Sequence, residues 1–165
     1  MMEFKSLGAF AGHLAALELP VRKSLERGLD KVAAKIEETA KDELGHYQDG
    51  VGPFLAWEEL TESTKADRVS QGYTENDPGL RSGAMRQSIG HQTNGLEASV
   101  GSNDDHLVFF ELGTPKQTPR SVLGEAALKN HDAIGKTVGG AAVTALLGGK
   151  TAPDELDFAQ ADAGI

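Results

Sequence analysis

Leu17, Val21, Leu25, Leu29, Val32, Ile36, Ala40 and Leu44 recur at steps of three and four along the chain. Large side chains spaced this way cannot be hidden by a strand, which alternates at two; they form one stripe of a helix. Lys23, Glu26, Lys31, Lys35, Glu38 and Lys41 fall on the opposite side. The spacing therefore predicts a long amphipathic helix that lies against the rest of the protein. Pro20 is best tolerated in a first turn, which puts the start of regular helix near Leu19 and leaves residues 1–13 as an N-terminal arm with at most a helical turn. Gly45, just past the last apolar position, is the expected terminator.

Beyond this helix the signals are shorter. Trp57 and Leu60 lead into a helix expected over about 62–70, with Thr61 as its N-cap. Gly72, Asn76, Asp77, Pro78 and Gly79 enforce an irregular connection, after which Ser82 caps a short helix over 83–87. Asn94-Gly95 lies between two alternating segments and predicts a tight hairpin near 86–101, with both turn residues at positive φ. Leu107-Val108-Phe109-Phe110 is too short for its period to separate a strand from a buried helical turn, and a strand is favoured. Pro119-Arg120-Ser121 opens a helical pattern in which Val122, Leu123, Ala126, Ala127 and Ile134 share a face. That helix runs on to Leu147 unless Gly139-Gly140 interrupts it. The expected fold class is α+β: a long N-terminal and a C-terminal helix packed on a small antiparallel sheet, in a single core domain over residues 14–147. Residues 148–165 carry three Asp, one Glu, Gly and Pro, and only Leu156, Phe158 and Ile165 as large apolar groups. They are expected to form an extended tail that a partner orders.

Composition narrows the function. A chain of 165 residues can bury a core without disulfides or metals, and it has no cysteine, which removes thiol chemistry and Cys-ligated metal sites. Its formal net charge of −9 argues against gripping nucleic acid, an interaction that Lys and Arg carry. The longest apolar stretch, residues 141–147, falls far short of the roughly 20 residues of a membrane span. No targeting pattern opens the chain, so it is expected to be made in the cytoplasm and used where it is translated, with no membrane partner.

No catalytic, cofactor-binding or metal-binding residue is expected. The five histidines stand tens of residues apart, outside any metal-ligand spacing, and His106 beside Asp104-Asp105 reads as an acidic loop tip. Gly139-Gly140 and Gly148-Gly149 lack the Lys-Ser/Thr of a phosphate loop, and Ser82, Ser88 and Ser99 lack a nucleophile elbow. The protein is therefore expected not to be an enzyme. Trp57 reads as a core anchor pinning its loop onto the first helix, or else as a subunit contact. Glu111, between apolar residues and Leu112-Gly113-Thr114-Pro115, is expected to be partly buried. It then needs a partner, for which Arg120 and Arg81 are the candidates, within the subunit or across an interface.

In order, the chain presents Trp57-x-x-Leu60-x-x-x-Thr64-x-x-x-x-Arg68, then Pro78-Gly79-Leu80-Arg81-Ser82-Gly83-Ala84-Met85-Arg86-Gln87-Ser88-Ile89. Val100-Gly101-Ser102, Phe110-Glu111-Leu112-Gly113-Thr114 and Pro119-Arg120-Ser121-Val122-Leu123 follow. This succession, over about residues 20–130, resembles the tail-completion, or minor tail component, family of long-tailed bacteriophages. Ser82 stands where that family usually has Thr, Met85 where it has Leu, Leu112 where it has Phe, and Ser121-Val122 where it has Pro-Phe. The resemblance implies a non-catalytic virion protein of the neck or tail. It would form a ring of six, or twelve, copies between the head-side connector, neighbouring neck proteins and the tail tube. Viral DNA would pass through the ring without sequence-specific binding. Tail terminator and head-closure proteins of the same neck are the alternatives, with a small enzyme or ligand-binding domain more remote. Trp57, Arg81, Glu111, Gly113, Thr114 and Arg120 are then structural or interface residues. Residues 46–120 hold 11 acidic and 6 basic groups, which suggests an acidic channel lining that includes Asp104 and Asp105.

Overall fold

A computed structural model describes residues 5–146 and has the expected α+β class. Helix α1 (Leu7–Glu43) is followed by α2 (Glu62–Ser70), α3 (Ala84–Ser88), strands β1 (Ile89–Asn94) and β2 (Glu97–Ser102), and helices α4 (Asp105–Leu112), α5 (Leu123–Lys129) and α6 (His131–Leu146). Among the described residues the sheet is the β1–β2 hairpin alone. The expected tail, residues 148–165, lies outside the described residues.

Helix α1 starts a dozen residues earlier than the pattern suggested, so Leu7–His13 is helix rather than arm. Ser6 supplies the start, its hydroxyl accepting a hydrogen bond from the Ala9 amide at 3.1 Å. The intervening stretch is rich in Ala and Leu, which favour helix. Pro20 sits inside α1. It removes one backbone bond, and the carbonyl it would have served belongs to exposed Ala16 and is open to water. At the other end Gly45, at φ 103°, leaves the helix as expected and donates its amide to the Pro78 carbonyl at 2.8 Å.

Three further expectations change. The two-residue hairpin loop is Gly95-Leu96, one position later than Asn94-Gly95. Gly95 alone has positive φ, at 61°, because Leu at the second position tolerates only negative φ. Residues 107–110 are helical, not a strand. Asp104 caps α4 by accepting from the His106 amide at 2.9 Å, and Gly113, at φ 73°, closes it. The final helical region breaks at Asn130 rather than at Gly139-Gly140, which α6 runs through. Asn130 turns its amide back onto the Ala126 carbonyl and across to Thr39 Oγ1, both at 2.8 Å.

The described chain divides into two compact units. One unit holds α1 up to Val32, residues 93–98 of the hairpin, and α6 from Asp132. There Ser24 donates to the Ala141 carbonyl at 2.9 Å, and a Cβ on Gly28 would lie only 3.0 Å from the Ala141 Cβ. Gly28 is small so that two helix backbones can approach. The second unit spans residues 33–92 and 99–131 and contains the apolar cluster of Ala40, Leu44, Trp57, Met85, Ile89, Leu107, Val122 and Ala126.

Candidate functional site

The second unit carries the quoted motifs of the resemblance, from Trp57 to Leu123, and an open groove of about 600 Å³ among them. Helix α2 starts at its edge, where Thr61 accepts from the Thr64 amide at 3.3 Å as expected. One turn on, Arg68 is buried and donates through Nε to the Thr74 carbonyl at 2.7 Å and through Nη2 to the Leu80 carbonyl at 2.8 Å. A single guanidinium thus ties α2 to the segment before α3. Arg81 is exposed, pairs with Asp67 at 2.7 Å and lies 5.3 Å from the Tyr73 ring centre.

Trp57 is buried in the apolar cluster, edge-on to Phe110 with ring centres 6.4 Å apart. Phe110 also meets Arg120, whose guanidinium carbon lies 5.9 Å from the ring centre and whose Nη2 donates to the Glu58 carbonyl at 2.8 Å. The Arg120 amide donates to the Phe110 carbonyl at 2.7 Å. Between them, Gly113 turns at positive φ where a Cβ would lie 2.8 Å from the Gln117 carbonyl oxygen, and Thr114 bridges to Gln117.

Glu111 has neither Arg120 nor Arg81 as its partner. Its carboxylate accepts four hydrogen bonds: from the Ser121 hydroxyl at 2.6 Å and from the amides of Val122, Leu123 and Gly124 at 2.7–2.9 Å. These amides open α5, whose own N-cap residue, Val122, has no side chain able to cap. Glu111 is a capping group supplied by another helix, and the positive end of the helix and its orphan donors satisfy the half-buried charge. Asp104 is likewise engaged, by the amide and the ring of His106, and these bonds hold its carboxyl below the usual range. Of the acidic residues considered for a channel, Asp105 is the exposed one without such a role.

Spacing did not point to a second buried polar cluster. The Lys129 ammonium lies 3.0 Å from Glu43 Oε1, 2.8 Å from Gln48 Oε1 and 2.9 Å from Glu125 Oε1, the last a charge contact rather than an aligned hydrogen bond. Glu43 and Glu125 are both buried. Burial pushes Glu43 up to about 7, against the pull of Lys129. Burial also pulls Lys129 down, but its contacts with the Glu125 and Glu43 carboxylates outweigh that and raise it. The i,i+4 spacing of Glu125 and Lys129 was the only trace of this cluster in the sequence.

Among the described residues no three His, Cys, Asp or Glu side chains gather as a metal site, and no helix is long and apolar enough to cross a membrane. The segments of the resemblance meet in packing, capping and backbone hydrogen bonds. No protein-family model, characterised protein or solved structure matches the chain.

Proposed function

We propose that the protein is a structural subunit of a phage neck or tail. Copies of it would form a ring that completes the tail, meets the connector side and leaves a channel for DNA. The observation that carries this reading is the two-sidedness of α4. Leu107, Phe110 and Glu111 point inward and are fixed by the core, Trp57, Arg120 and the start of α5. Val108, Phe109 and Leu112 share the other face and remain 52, 53 and 73% exposed. A rigidly anchored helix with three large apolar groups facing water is suited to contact between copies. The net charge of −9 suits a wall that phosphates pass without adhering.

Light scattering coupled to gel filtration and negative-stain imaging of the full chain test the reading. The expected result is a ring, or monomers that assemble on purified tail ends. Leu112→Asp is expected to abolish that assembly while leaving the circular dichroism spectrum unchanged. A chain that stays monomeric and adds to no tail end refutes it.

A further inference from the structure

In the first unit, helix α1 carries an apolar seam of which α6 takes only one end. Leu7, Phe10, Leu14, Leu17 and Val21 follow one another at steps of 3, 4, 3 and 4, and Ser24 and Gly28 continue the alternation. A 3-4 repeat of this kind is the seam of a coiled coil. At Ser24 and Gly28 the seam is filled by α6: Ser24 bonds to Ala141, and Gly28 lies against Thr137, Val138 and Ala141, so the two helices run antiparallel. Leu146, the last described residue of α6, lies about 7.5 Å past Ala141 along its axis, level with about residue 21 of α1. The seam from Leu17 to Leu7 continues beyond it for about 15 Å. There Leu7 and Leu14 are 82 and 50% exposed, and Phe10 is 40% exposed. Residues 6–17 include no Asp, Glu, Lys or Arg, so this stretch lacks the charged cover of an ordinary surface helix. It also holds Gly8 and Gly12, with Pro20 just beyond, and these weak helix formers call for a partner that packs on the helix and holds it wound.

We propose that this seam pairs with the same seam of a second copy, antiparallel, across a two-fold axis level with Gly12. The spacing is symmetric about that residue. Leu7 of one copy then lies against Leu17 of the other, and Phe10 against Leu14, a self-complementary contact that closes on itself. The ends agree with this direction, because Lys5 of one copy comes to the Glu18 end of the other, whereas a parallel pair would set Lys5 beside Lys5 and Glu18 beside Glu18. Other occupants match less well. Residues 148–165 offer Leu156, Phe158 and Ile165 at steps of 2 and 7, which is no matching repeat, among four acidic groups. A lipid surface calls for Lys and Arg on the polar face of the helix, and residues 6–17 have none in a chain of net charge −9. The contact uses a different helix from the α4 face invoked above and holds whether or not a ring forms.

The chain has no cysteine, so single-cysteine variants report this contact one position at a time. The test uses the full chain carrying Leu112→Asp, which disrupts the α4 face, so that failure of the ring reading leaves the result at α1 readable. A ¹⁵N-labelled Leu7→Cys chain is mixed with an unlabelled Leu17→Cys chain under oxidised glutathione, and the products are read by mass spectrometry. The 7–17 disulfide is expected about tenfold over the 7–7 product, and over the 16–16 product of Ala16→Cys on the outer side of the helix. Sedimentation equilibrium is expected to show dimers at about 50 μM, which Leu14→Asp converts to monomers and Ala16→Asp leaves intact. Monomers at that concentration, dimers that ignore Leu14→Asp, or a 7–7 product equal to the 7–17 product overturn the proposal. So does a dimer that appears only after residues 148–165 are deleted, which would make the chain's own terminal segment the occupant. Binding to phosphatidylcholine vesicles in place of dimerisation overturns it as well.

Discussion

Replacing Glu111 with Gln tests the central inference about how the second unit holds together. In the native arrangement Oε2 serves the Val122 and Leu123 amides, and Oε1 serves Ser121 and the Gly124 amide. An amide side chain keeps one acceptor oxygen but puts an NH₂ where the other was, so one pair of donors faces a donor. Hydrogen bonds to a charged group contribute about 1.5–3 kcal/mol each, and a buried donor left unpaired costs about 1–3 kcal/mol. The loss also removes the favourable contact of a carboxylate with a helix N-terminus. The expected destabilisation of Glu111→Gln is therefore about 2–3 kcal/mol, and of Glu111→Ala about 3–5 kcal/mol, since that change vacates all four positions. Urea unfolding followed by the emission of Trp57, the only tryptophan, reads this directly: with a slope of about 2 kcal/mol per molar, Gln lowers the midpoint by about 1 M. Because the partners are neutral amides, the loss should be nearly the same at low and high salt, whereas an ion pair with Arg120 or Arg81 would fade. A Gln variant within about 0.5 kcal/mol of the native chain, or a loss that salt abolishes, refutes the capping role.

The Glu43 carboxyl makes stability depend on pH. Its folded value, about 7, lies above its ordinary 4.5, so the folded state holds that proton more tightly. Its contribution is full below about 4.5 and is lost as pH rises through 4.5–7, by about 3 kcal/mol in all. Glu43→Gln is expected to flatten this part of the stability profile in urea titrations across pH, and an unchanged slope counts against it. In the first unit, Gly28→Leu is expected to lower the thermal midpoint by forcing apart α1 and α6, at a cost of about 1–3 kcal/mol. A neutral effect in a calorimetric scan would show that the two helices do not approach closely in solution.

The helical stripe of α1 was legible because Leu17 to Leu44 obey one period, and the caps Thr61 and Gly45 were legible because each sits at the end of such a pattern. Helix α4 was not, because Leu107 and Phe110 face the core while Val108 and Phe109 face water. A run that is apolar on both sides has no period to read. The deciding marks were the bracketing Asp104 and Gly113, whose cap chemistry outweighs four apolar residues of strand-like composition. The early start of α1 is hidden because Pro20 reads as a boundary, although Ser6 and the alanines after it favour helix from Leu7. In the sequence Glu111 reads as partly buried and in need of a partner. That its partners would be main-chain amides could not be seen in a side-chain inventory, since backbone donors carry no sequence signature. The Glu43–Lys129–Glu125 cluster joins residues 86 positions apart, and only folding brings them together.

The borrowed cap has a further consequence, for the order in which parts of the chain open and close. Helix α5 has seven residues and no capping side chain of its own, too short to persist alone. Its start exists only while α4 is wound far enough to aim Glu111 at it, and α4 is fixed by the same contacts at Phe110 and Arg120. The two helices and the loop between them are then one cooperative opening unit, and amides of α5 should exchange no more slowly than those of α4 release Glu111.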